Sequence, residues 1–118
     1  ILYGVAVVLK LPELTVEEIG RAALPGDFPY RTGLLSFREA PVLIEAFRQL
    51  RRRPDVVMLD GQGIAHPRRF GLACHLGLWL DLPCFGCAKS RLIGMHAEPG
   101  GRPGSTSQLV VKTMWSAA

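Results

Sequence analysis

The chain has 118 residues, of which 48% are hydrophobic and 20% charged, with a net charge of +4. This is an ordinary globular balance for one domain, and the mild positive excess is compatible with nucleic acid without demanding it. Three cysteines make no disulfide framework, and the apolar runs "YGVAVVL" and "LGLWLDLPCFGCA" fall short of the roughly 20 residues of a membrane span, so no membrane partner is expected.

Residues 3–11, "YGVAVVLKL", predict a buried strand that Pro12 stops, with Gly4 permitting close approach. Residues 14–23, "LTVEEIGRAA", have the propensity of a short helix. Thr15-Val16 nevertheless open an extended pattern, and a hairpin partner is the reading taken. "LPGDFPYRTG", residues 24–33, is a Pro/Gly-rich loop carrying Phe28 and Tyr30. Ser36 and Glu39 make an S-x-x-E capping box, which predicts a helix from there to about Arg52. Val42, Leu43, Ala46, Phe47 and Leu50 form its apolar face, and Arg51–Arg53 complement its C-terminal dipole. "DVVMLD", residues 55–60, predicts a strand buried through Leu59. A second helix is expected over about 68–80, with Phe70, Leu72, Ala73, Leu76 and Leu80 as its apolar set. "LPCFGCA", residues 82–88, reads as a short strand, and "QLVVKTMW" as a last one after a loop. The order β(β)αβαβ predicts an α/β domain with its strands at the centre.

Several residue types in these positions carry chemistry. Asp60 closes a strand and precedes glycine, where open α/β sheets bind ligands; a carboxylate there can hold Mg²⁺ or cap the loop in an Asx turn. Glu39 is accounted for by the capping box, and would equally serve a metal site for phosphoryl transfer if it converged on Asp60. His66 could orient water or phosphate, or simply be a hydrogen-bonded loop histidine. Lys89 follows a strand end and could meet a phosphate, or be an ordinary surface lysine. Arg68 and Arg69, expected in the first turn of a helix, oppose its dipole, an arrangement that makes sense if an anion binds there. Cys84 and Cys87 have CxxC spacing on a strand, which points them to opposite faces, so core cysteines are expected. Tyr30 could stack on bases or pack on its loop.

The stretches "FPYRTGLLSFREAP", "PDVVMLDGQGIAHPRRFGLACHLG" and "LDLPCFGCAKS" together resemble the endonuclease V family, densest over residues 29–90 of a single domain spanning 1–118. The resemblance implies a ribonuclease-H-like mixed sheet flanked by helices. It implies that Asp60 and Glu39 are ligands of a catalytic Mg²⁺, with Mn²⁺ as a substitute. His66 would lie near the scissile phosphate, and Lys89 would support the attacking water or the phosphate. Pro29 and Tyr30 match the first half of the family's strand-separating Pro-Tyr-Ile-Pro wedge. Gly33, Leu35 and Gly61 would line the pocket of an extruded hypoxanthine. The partner implied is inosine-containing DNA or RNA, cut 3′ to the lesion by a metal-activated water.

The chain departs from the family pattern at Arg31-Thr32, where the wedge has Ile-Pro; Arg31 is then expected to add a phosphate contact. The family's opening strand, with its metal-binding aspartate, and its C-terminal portion are also not matched. An expectation of truncation at both ends follows, with two alternatives to the endonuclease: an impaired fragment that keeps nucleic-acid binding, or a non-catalytic interaction domain. An intracellular location is expected, in the cytoplasm or, for a eukaryotic chain, the nucleus or nucleolus.

Overall fold

The computed structural model describes residues 1–25 and 35–112, apart from the side chains of 35–37. The architecture is mixed α/β, in the order β1 (Leu2–Lys10), β2 (Thr15–Leu24), α1 (Leu35–Arg48), β3 (Val57–Asp60), α2 (Leu72–Leu80) and β4 (Cys84–Cys87). Instead of one central sheet, the described strands form two separate pairs. β1 and β2 are an antiparallel hairpin, from Leu2 opposite Leu24 to Lys10 opposite Thr15, with an irregularity between Val8 and Leu9. The hairpin settles the ambiguity of residues 14–23 in favour of a strand. β3 and β4 are parallel, Val57 opposite Cys84 and Asp60 opposite Cys87. Parallel neighbours need a long crossover, and α2 supplies it.

α1 lies across the hairpin at backbone contact. A Cβ on Gly4 would stand 2.8 Å from the Val42 carbonyl oxygen, and one on Gly20 would overlap the Ala46 carbonyl oxygen. Two glycines one above the other thus set the separation of helix and hairpin. The core lies on the other side of α1, where Ala40, Leu59, Leu72, Ala73 and Leu76 pack together.

β1 is not the buried strand its composition predicts. α1 covers one face only, so Val5, Val7 and Leu9 on the alternate positions are exposed. β3 alternates likewise: Leu59 is buried, whereas Met58, like Val56 just before the strand, is exposed. These side chains border an apolar cleft of about 400 Å³ between β1 and β3, closed at its floor by Leu43, Phe47 and Leu76.

Both helices are shorter than predicted. α1 starts at Leu35, which puts Ser36 inside the helix and not at its cap, and Glu39 in the second turn. The capping-box reading is corrected by that boundary: Leu35 joins the helix readily, so the chain turns helical before the serine. At the other end the amides of Gln49 and Leu50 make three-residue bonds to Ala46 and Phe47. The Glu18 carboxylate then accepts the Arg51 and Arg52 amides at 2.7 and 3.3 Å. Those two donors are taken by β2, so the helix stops at Arg48 and the arginines do not sit on its last turn. α2 begins at Leu72 after an extended Gly71, because Arg69 has φ 57° and breaks any helical run from residue 68. No strand forms over "QLVVKTMW" among the described residues; Val110 makes a single bridge to Met95. Nor are the cysteines a buried set: Cys74 and Cys84 are half-buried and Cys87 is exposed, since β4 has α2 on only one face.

Candidate active site

Asp60 is placed by β3, whose last residue it is, and by the turn that follows. Gly61 has φ 151°, a backbone region that disfavours side chains, and its amide donates to the Cys87 carbonyl at 3.2 Å. The strand pair therefore persists one residue past the carboxylate and fixes where it leaves the sheet. Gln62 makes a second tie, its Nε2 donating to the Ser90 carbonyl at 2.8 Å. Gly86 approaches the Gly61 carbonyl so closely that any Cβ would collide with it.

Glu39 comes from the second turn of α1 and is half-buried. It and Asp60 line one cavity of about 260 Å³, together with Leu2, Tyr3, Met58 and Leu72. Burial pushes the Glu39 carboxyl above the usual carboxylate range, the negative charge of Asp60 raises it further, and the Arg38 guanidinium opposes both. The two carboxylates thus face the same cavity. Two oxygen donors that repel one another at a partly desolvated cavity are the kind of set a hard divalent cation takes, and Mg²⁺ in particular is held by one or two carboxylates plus substrate phosphate. The residues fit Mg²⁺ or Mn²⁺ in that sense. Among the described residues no group of three or more His, Cys, Asp or Glu side chains comes together.

The other expected residues lie around this pair. Lys89 is exposed, two residues beyond the Cys87 that faces Asp60 across the ladder, so it sits at the same sheet edge. His66 does not line the cavity; it is buried, at 8% exposure, inside the loop that leaves β3. Its Nδ1 accepts the Arg68 amide at 3.0 Å. Arg68 and Arg69 are exposed and precede α2, so the opposition to a helix dipole expected for them is absent. Leu35 opens α1, and Gly61 adjoins Asp60. Pro29, Tyr30, Arg31 and Gly33 lie outside the described residues.

Three contributors carried no expectation from the sequence: Arg38, Gln62 and Tyr3. Arg38 had one available signal, a cation directly before the acidic residue. Gln62 and Tyr3 had none, because a tie to Ser90 and a place on the cavity wall are products of the fold.

The family model for Endonuclease V matches residues 2–118. The Endonuclease V of Dehalococcoides mccartyi (strain CBDB1) is 50% identical over 103 residues, covering 87% of this chain and 46% of its own. The chain thus spans about half the length of the curated relatives it matches. The crystal structure of Endonuclease V from Streptomyces avermitilis superposes with a TM-score of 0.78 at 36% identity, over 92% of this chain and 54% of that one. The Ciona intestinalis Endonuclease V, solved with a 24mer DNA containing an inosine followed by a ribo-adenosine, gives a TM-score of 0.67 at 29% identity, over 79% of this chain and 46% of that one.

Proposed function

The chain belongs to the endonuclease V family, and from that premise we propose that it is a Mg²⁺-dependent endonuclease acting on inosine-containing DNA or RNA, hydrolysing the phosphodiester 3′ to the lesion. The observation that carries the reading is the meeting of Glu39 and Asp60 at one cavity, where burial and then the Asp60 charge raise the Glu39 carboxyl. Glu39 and Asp60 would hold the cation, which when bound lowers the charge on the phosphate and makes water nucleophilic at neutral pH.

The residues of the chain do the remaining work. Glu39 and Asp60 put negative charge where a polyanion must approach, so a cation held between them and the phosphate would couple binding of metal and substrate. Gly61 lets the chain turn sharply after the carboxylate, leaving backbone and no side chain where nucleic acid comes close. Lys89, at the same sheet edge, supplies a positive charge for phosphate. Tyr30, with Pro29 and Arg31, is the proposed wedge, filling the gap left by an unstacked base, whose extrusion costs a few kcal/mol. Gly33 and Leu35 would flank the extruded base.

The test is nicking of a labelled inosine-containing oligonucleotide, in DNA and RNA forms, with Mg²⁺ or Mn²⁺ and an adenosine control. Inosine-directed nicking that EDTA abolishes supports the reading. Equal cutting of the control, or none by folded protein, rules it out for this chain.

A further inference from the structure

The loop from Asp60 to α2 is closed at its base. The Gly71 amide donates to the Gly63 carbonyl at 2.9 Å, and the Ala73 amide to that of Gln62 at 3.0 Å. Residues 64–70 are thereby gathered into a compact tip, the kind of loop that is packed by its own side chains. The side chain that fills it is His66, the one buried polar or charged group among the described residues.

The amide, carbonyl and Nδ1 of His66 are all spent inside the tip. Its amide donates to the Ile64 carbonyl at 2.7 Å, and its carbonyl accepts the Arg69 amide at 2.8 Å and Arg69 Nη1 at 3.4 Å. Its Nδ1 accepts the Arg68 amide at 3.0 Å. A ring nitrogen that accepts carries no proton, so the ring proton belongs to Nε2. Arg69 holds φ 57°, a left-handed conformation that costs an ordinary residue energy and persists only where the surroundings impose it. Both arginines are exposed, and neither has a carboxylate partner among the described residues.

We infer that His66 is a positioning residue: through Nδ1 and its carbonyl it fixes Arg68 and Arg69 side by side, so that two guanidinium groups meet one stretch of phosphodiester backbone. The inference rests on the endonuclease reading for its ligand, and on the loop geometry for the link between His66 and the arginines. Its role is separate from the carboxylates, since His66 has no face on their cavity.

Isosteres distinguish the two ring nitrogens. Asn places an acceptor where Nδ1 lies, and Gln places a polar group where Nε2 lies. The experiment compares His66→Asn, His66→Gln, His66→Ala and Arg69→Gly, which keeps the left-handed backbone while removing the charge. Each is titrated with a labelled single-stranded inosine oligonucleotide in Ca²⁺, across a range of salt, and separately digested with trypsin to time cleavage at Arg68 and Arg69. A phosphate contact contributes about 0.7 to the slope of log affinity against log salt for single strands. We expect His66→Ala and His66→Gln to lose about 0.7–1.4 from that slope and to be cut several-fold faster, with His66→Asn restoring both. Arg69→Gly should lower the slope alone, and add less than its full effect on top of His66→Ala. Unchanged slopes and cleavage in all His66 variants overturn the inference, as does rescue by Gln and not Asn. An unsubstituted chain that binds no oligonucleotide overturns the proposed function and the phosphate role together, and tryptic cleavage then decides the His66–Arg68 link by itself.

Discussion

Glu39 and Asp60 reach one cavity from different elements, a helix and the end of a strand, and the charge on Asp60 helps to hold the Glu39 carboxyl protonated above its ordinary range. Removing that charge should therefore lower the Glu39 pKa. We expect Asp60→Asn to shift the Glu39 carboxyl resonance titration downward in NMR, leaving the elevation due to burial opposed by Arg38. An unmoved titration would separate the two carboxylates.

The raised Glu39 also sets a sign for stability. Its folded pKa lies above the unfolded value of 4.5, so the folded state binds more protons in that window. Its contribution is fully present below the unfolded pKa and is lost as pH rises through the folded one. Chemical denaturation should show a stability loss above about pH 4.5 that Glu39→Gln removes. Mg²⁺ competes for the same oxygens, so its apparent affinity should increase with pH over that range.

Asp60→Ala should abolish inosine-directed nicking while leaving oligonucleotide binding largely intact. Residual Mg²⁺-dependent nicking in that variant would take Asp60 out of the cation site.

The contact between Gly20 and the Ala46 carbonyl leaves no room for a methyl group. Gly20→Ala should push α1 off the hairpin and destabilise the chain by about 1–3 kcal/mol, read as a lower Tm. Exposed Ala23 can be replaced by Ser as a control on the same strand.

Arg53 is the cation at the end of α2: its Nη2 donates to the Leu80 and Asp81 carbonyls at 2.6 and 2.7 Å. A positive charge there satisfies orphan carbonyls and complements the helix dipole. Arg53→Ala should cost about 1 kcal/mol and Arg53→Lys about half that, in denaturant melts.

What could be read from the chain and what could not divides along the range of the interaction. Strand and helix order came from apolar periodicity, and Asp60 from its place between a strand and glycine, both local signals. Glu39 was legible as a residue type, but its approach to Asp60 depends on how α1 packs against the hairpin and α2. The end of α1 was misplaced because its competitor is distant: Glu18 takes the amides that would have continued the helix. Arg51–Arg53 were assigned to the end of α1, whereas Arg53 serves the end of α2, 27 residues away from the carbonyl it bonds. β1 looked buried because its composition is that of a central strand, and composition does not say whether both faces are covered. The wedge residues Pro29, Tyr30 and Arg31, outside the described residues, rest on resemblance alone.

Two strand pairs separated by an apolar cleft leave every described strand with a bare flank. Bare flanks present unpaired amides and carbonyls, and those along β1 and β3 lie beside exposed valine, leucine and methionine. Such a surface recruits any extended chain with matching alternation, another molecule of the same protein included. Solubility of this chain is therefore expected to depend on concentration, and to improve when one outward valine of β1 becomes lysine.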